Sequence, residues 1–168
     1  MTSTGPMTDN LAASADGTGP IPQIPLGVLA DRDALSAMDY IEIHQLYARY
    51  AAGLDFGDGA TRASTFTPDG TFTTSITPDR KPITVAQVAE RTVKLGNIGD
   101  RHMTLQLIIT PTESGADGFA YAIRVDRQGK VGTGFYNDKL VRTPEGWRFK
   151  ERVLWHDFEL NSPYRGRD

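Results

Sequence analysis

The chain has 168 residues, 39% of them hydrophobic and 23% charged, with a formal net charge of -3 at pH 7 and a pI near 5.6. This is the profile of one globular domain, long enough to close a core around an internal pocket without metal or disulfide staples. Cysteine is absent, which excludes disulfides, thiolate nucleophiles and Cys-ligated zinc or iron–sulfur centres, and the mild acidity without a dense Lys/Arg run argues against a nucleic-acid or anionic-membrane footprint.

No stretch is apolar and long enough to read as a transmembrane segment. The opening MTSTGPMTDN has neither a basic nor an apolar signal region, so a cytoplasmic protein is expected, although the missing cysteines alone permit either redox compartment. The first 30 residues hold four Pro and four Gly and read as a loosely held arm. Within it, Ile21, Ile24, Leu26, Val28 and Leu29 are costly to leave in water, so Pro22 to Leu29 either lies against the domain or is an ordinary tail. The folded unit is expected over residues 31–162, with 163–168 as a C-terminal tail.

Ser36 followed by Asp39 resembles a capping box with Asp in place of Glu or Gln. Ile43, Leu46, Tyr47, Tyr50, Ala51 and Leu54 then recur at spacings of three and four, which predicts a helix with one buried face. It gives way at Asp55, before the turn Phe56 to Gly59. A short helix is predicted over residues 59–66, with Ala60, Ala63 and Phe66 on its face, ended by Thr67 to Gly70. GTFTTSI reads as a strand, Asp79 to Pro82 as a turn, and Thr84 to Leu95 as a helix. Strands are predicted from Arg101 to Thr110, Phe119 to Asp126, Lys130 to Arg142 and Trp147 to Glu159. Helices followed by a strongly bent, mostly antiparallel sheet make an α+β order in which the sheet wraps around the helices.

Three histidines are present, His44, His102 and His156. Strict alternation places His102 with Thr104, Gln106 and Ile108 on one strand face and Met103, Leu105, Leu107 and Ile109 on the other. If the first face lines a concave interior, His102 lies at the rim of a pocket; the alternative is a surface histidine at a strand start. Asp55 is the natural partner to test, because a carboxylate at a helix C-terminus is disfavoured by the helix dipole and calls for a solvent-exposed turn or a compensating group. Periodicity does not bring the two together.

The segments IEIHQLYARYAAGLDFGDGATRASTFTPDGTF, RHMTLQLIIT and GTGFYNDKLVRTPEGWRFKERVLWHDF resemble the SnoaL-like branch of the nuclear transport factor 2 superfamily over roughly residues 34 to 160. The resemblance implies a cone, a curved sheet folded over N-terminal helices around a deep pocket, with homodimer or homotrimer contacts through the sheet. In its dehydratase and dehydrohalogenase members an aspartate closing the first helix orients a histidine that opens the long strand after the third helix, and these positions match Asp55 and His102. Such a pair fixes the imidazole tautomer, stabilises the imidazolium formed on proton transfer and leaves the second ring nitrogen to take a proton.

The pattern therefore implies a cofactor-independent lyase or isomerase for a small apolar ring-bearing substrate, with polyketide cyclase, epoxide hydrolase and a non-catalytic binding or assembly module as rivals. For the epoxide hydrolase the chain offers no clear donor set. It also departs from the dehydratase pattern. No second histidine stands on the strand after His102, and Leu54 stands where those members place a tyrosine.

Tyr50 and Tyr121 are then the phenols to consider as proton donors, and Phe72, Trp155 and His156 the further substrate contacts, with a core or sheet-surface place as the alternative for each. Phe66, Met103, Leu105, Phe119, Phe135 and Trp147 are candidates for core or pocket wall. His44 is expected to be structural, and Asp138 with Arg142 to pair across the sheet. The histidine spacing fits no zinc motif, so neither a metal nor another cofactor is expected. If Asp55 and His102 act together, they should lie within about 3.2 Å of each other in a cavity of roughly 300 Å³ or more.

Overall fold

Ser36 opens the first helix, α1 (Ala37–Asp55), as a full capping box: its hydroxyl accepts from the Asp39 N–H, and the Asp39 carboxylate accepts from the Ser36 N–H. The same carboxylate accepts from Trp147 Nε1 at 2.8 Å and pairs with Arg142, tying the helix start to the last hairpin. Arg142 is thus spent on α1 and does not pair with Asp138. The apolar stripe is buried as its spacing predicts, with Ile43, Leu46, Tyr47 and Tyr50 all inside, each such side chain worth about 1.5–3 kcal/mol of burial. His44 is exposed.

These features come from a computed structural model that describes residues 35–74 and 77–157. The expected N-terminal arm, the C-terminal tail and the last residues of the final predicted strand lie outside the described residues.

The second helix is shorter than its spacing suggests. It is α2 (Gly59–Ala63), capped by Asp58, whose carboxylate accepts from the Thr61 N–H at 2.9 Å. Phe66 belongs instead to β1 (Phe66–Thr74), in which Thr67 to Gly70 form a bulged stretch and not a stop. The buried side of α2 is not the Ala60–Ala63 side; Arg62 points inward and Ala60 is exposed. Two glycines set this helix. A Cβ on Gly53 would lie 2.7 Å from the Arg62 backbone nitrogen, and one on Gly59 would lie 2.4 Å from the Ala89 carbonyl oxygen. Gly53 costs α1 helix propensity but permits the backbone contact that places Arg62.

A 3₁₀ turn at Pro78–Arg80 and the short strand β2 (Ile83–Thr84) lead into α3 (Val85–Leu95), which Thr84 and Gln87 cap reciprocally. Then come β3 (Arg101–Thr112), β4 (Gly115–Val125), β5 (Val131–Thr143) and β6 (Gly146–His156). The described strands form one sheet in the order β2-β1-β6-β5-β4-β3. Only the β1–β6 pairing among them is parallel. This is the expected α+β cone, a sheet wrapped around the N-terminal helices.

Two bulges break the strict alternation read from sequence. In β3 the register shifts between Leu105 and Ile108, with Gln106 in the left-handed region at φ 48°. A bulge reverses the face of every later residue. His102 therefore shares the inner face with Leu107 and Ile109, which pack on the main core, while Ile108 turns outward to Phe119. In β6 the shift falls at Lys150, so Trp147 and Phe149 face inward together with Arg152 and Leu154. Among the described residues no helix is long and apolar enough to cross a membrane.

Candidate active site

Asp55 is the last residue of α1 and is buried, so its carboxylate must be satisfied within the protein. Three contacts from the start of β3 do this. The His102 backbone N–H is shared between the two carboxylate oxygens at 3.2 and 3.1 Å, and His102 Nδ1 lies 2.6 Å from Oδ1. A carboxylate only accepts, so Nδ1 carries the proton toward Asp55 and Nε2 is the nitrogen left with a free lone pair. These contacts also answer the unfavourable dipole at the helix end. Both residues line a cavity of about 360 Å³. Separation and volume both meet what a working pair requires.

The cavity lies between α1, α2 and α3 and the inner face of the sheet. Phe72, Ile83, Val88 and Leu154 give it apolar walls, and His156 stands on the same wall at the end of β6. Leu54 also lines it, directly before Asp55. Phe72 and His156 thus stand where a substrate contact is expected.

Tyr50, Tyr121 and Trp155 do not. Tyr50 is not part of the wall: its ring is buried among Phe66, Phe72, Tyr136 and Phe149, and its hydroxyl accepts from Arg62 Nη2 at 2.5 Å. Tyr121 and Trp155 point to the opposite face of the sheet, because strand alternation puts Ala122 and Leu154 on the cavity side. There Phe119, Phe135 and Trp155 form a second, smaller aromatic cluster, with Arg80 3.6 Å above the Trp155 ring. Met103 and Leu105 are exposed on that outer face and are neither core nor pocket wall.

Several wall residues carry no signal that singles them out in the sequence. Tyr136 lines the cavity from β5, and burial, then the nearby Tyr50, push its phenol well above the ordinary value, so it stays protonated. Arg62, Arg91 and Arg124 also line it, with Arg124 Nε donating to the buried Asp100 at 2.5 Å. Arg62 is invisible to a periodicity argument because it breaks the apolar face of its helix. Its one signal is the pair of small residues, Gly53 and Gly59, that let the backbones meet there.

Behind Tyr136 lies a buried ion pair. Arg152 Nε is 3.6 Å from Asp138 Oδ1, and Tyr47 Oη donates to Asp138 Oδ2 at 2.5 Å. The guanidinium sits over the rings of Tyr136, Tyr50, Phe149 and Tyr47 at 3.6 to 4.7 Å. Burial pushes the Asp138 carboxyl up to about 6, against the pull of Arg152 and the Tyr47 hydrogen bond. Burial also works to discharge Arg152, but Asp138 and the tyrosines override it and hold the cation above its ordinary value.

The SnoaL-like domain model matches residues 35–153. Rv3472 of Mycobacterium tuberculosis, whose function is unknown, is 26% identical, with 78% of each chain covered and a TM-score of 0.65. A Catenulispora acidiphila protein solved in complex with S-DNPA is 31% identical over 73% of this chain and 96% of its own, with a TM-score of 0.59. A Novosphingobium aromaticivorans protein provisionally named a scytalone dehydratase shares the fold at 19% identity, covering 78% of this chain and 95% of its own, with a TM-score of 0.63. No curated protein matches the chain. With the matched segment spanning cone, cavity and both residues of the His–Asp pair, the chain belongs to the SnoaL-like domain family.

Proposed function

We propose that the protein is a cofactor-independent lyase or isomerase of the dehydratase type, acting on a small apolar ring-bearing molecule with His102 as general base and Asp55 as its orienter. The observation that carries this reading is the 2.6 Å contact between His102 Nδ1 and Asp55 inside the cavity. His102 Nε2 takes a proton from carbon, and the C–H electron pair becomes the new double bond. In an elimination the leaving hydroxyl or halide departs with its own electron pair. In an isomerisation the original double bond gives up its electron pair to form a C–H bond at another carbon, to which the imidazolium returns the proton. Asp55 stabilises the imidazolium between these events. Tyr136 is the phenol of the wall that burial keeps protonated, and it takes the place toward a carbonyl or leaving group first considered for Tyr50 and Tyr121, as a hydrogen-bond donor that retains its proton.

A polyketide cyclase is the second reading. It uses the same pair for an aldol-type proton transfer, and the Catenulispora relative solved in complex with S-DNPA supports the cone as a ligand-holding fold. Assembly as a homodimer or homotrimer through the outer sheet face, in a cytoplasmic setting, belongs to the same proposal.

Mass spectrometry of small molecules released from the purified protein identifies the substrate or product. With that compound, Asp55→Asn should keep the fold and lower turnover by up to about 10⁴, the loss that a serine-protease triad suffers when its aspartate undergoes the same change, and His102→Ala should do no less. Undiminished turnover in either variant would rule out the His102–Asp55 assignment and put the chemistry on other groups, whereas a wild-type protein that holds the compound without turning it over would be a binding module.

A further inference from the structure

The proposed proton transfer leaves one buried charge in the cavity wall unused. Arg62 is 6% exposed and lines the same cavity as His102. Its Nη1 donates to Thr92 Oγ1 at 2.9 Å and its Nη2 to Tyr50 Oη at 2.5 Å. The rings of Tyr50 and Phe72 lie 4.6 and 5.4 Å from the guanidinium carbon. All of these partners are neutral. Its Nε–H has no acceptor, and Thr74 Oγ1, buried in the same wall, is likewise without a partner.

A guanidinium stays charged in a protein, and a buried charge is costly unless it is paired. Arg152 provides the internal comparison: it too is buried among rings, four of them, yet it has Asp138 beside it. Among the described residues Arg62 has no such carboxylate. The two acids of the cavity wall are already committed, Asp55 to His102 and Asp100 to Arg124. Arg91, on the exposed side of α3, adds a second positive charge to the wall. The cavity therefore holds a deep cation whose countercharge the protein does not supply.

We infer that the ligand supplies it: the ring-bearing molecule that fits this cavity carries an anionic oxygen, a carboxylate or phenolate, whose charge is answered by the Arg62 guanidinium of the wall. This deepens the reading above and rests on it for the cavity being the substrate site. The acid group anchors the ring, and the walls leave its C–H bonds to His102. An acidic, apolar, ring-bearing compound is then the substrate class, and a neutral hydrocarbon-like ring is the wrong one.

The full chain titrated calorimetrically with benzoate, naphthoate and their neutral amides tests this without knowledge of the substrate. Each acid should bind about tenfold or more tightly than its amide, as expected when a charge-assisted hydrogen bond replaces a neutral one. The preference should vanish in Arg62→Met and survive in part in Arg62→Lys. It should persist in His102→Asn, which separates the anchor from the base. If neither acid outbinds its amide in the wild-type protein, the inference is overturned whether or not Arg62→Met folds. It is equally overturned if the preference survives intact in Arg62→Met, or disappears only in His102→Asn. Those outcomes leave the general-base reading to its own test, the turnover of Asp55→Asn.

Discussion

Two buried carboxylates show how the same side chain is put to different ends. Asp55 has its acceptors filled by one residue, His102, through both backbone and ring, so its geometry is held before any ligand arrives. Asp138 faces a buried cation at 3.6 Å, longer than a hydrogen bond, and keeps one short bond from Tyr47. Its carboxyl is pushed up from 3.8 to about 6, by burial first. The native protein therefore holds a proton here between about pH 4 and 6 that the unfolded chain has released, and linkage makes this group's contribution to stability fall as pH rises through that window. Urea unfolding of the wild type and Asp138→Asn at half-unit steps should show the difference between them shrinking from pH 4 to 6 and flat above. Exposed Asp58, Asp69 and Glu90, all held low by hydrogen bonds or lysine partners, act with the opposite sign at lower pH, and the paired comparison cancels them.

At the scale of elements, the contact between α1 and α2 decides what the cavity contains. Gly53→Ala would raise the intrinsic helix propensity of α1 by about 1 kcal/mol, yet its Cβ would meet the Arg62 backbone at 2.7 Å. Overpacking of this kind costs about 1–3 kcal/mol, so the net effect should be a lower melting temperature, measured by calorimetry, together with weaker binding of the aromatic acids. The elements themselves are largely legible in the sequence: the α1 stripe, its Asp-containing capping box, the third helix and the four long strands follow from local spacing and turn residues. What is not legible depends on geometry that spacing does not encode. A three-residue repeat draws Phe66 into a helix, although its burial comes from pairing in β1. The family's final strand suggests Trp155 and a phenolic hydroxyl suggests Tyr121 for the pocket, yet strand alternation turns both outward. The Asp55–His102 pair is reached through family resemblance, since 47 residues separate the two and no periodicity links them.

For the whole molecule, the two faces of the sheet carry different chemistry. The inner face holds the charges and hydroxyls of the cavity. The outer face carries the Phe119, Phe135 and Trp155 cluster beside exposed Tyr121, Leu105 and Met103. The aromatic cluster is itself buried, so the exposed apolar surface of this face is that of Tyr121, Leu105 and Met103, and the homodimer or homotrimer proposed above is expected to use it. Analytical ultracentrifugation should show the oligomer dissociating in Leu105→Glu/Tyr121→Glu, with the His102–Asp55 contact and acid binding unchanged, because these side chains point away from the cavity. An assembly indifferent to that double substitution would place the interface elsewhere.

The bulges at Gln106 and Lys150 also separate two tasks within one strand. Each acts as a phase joint, dividing its strand into a stretch that faces the ligand and a stretch that packs the base of the fold. A shift of register at the ligand end can be absorbed at the joint without turning Ile109 or Phe149 out into water. The cavity end and the core end of each strand are in this sense set independently of one another.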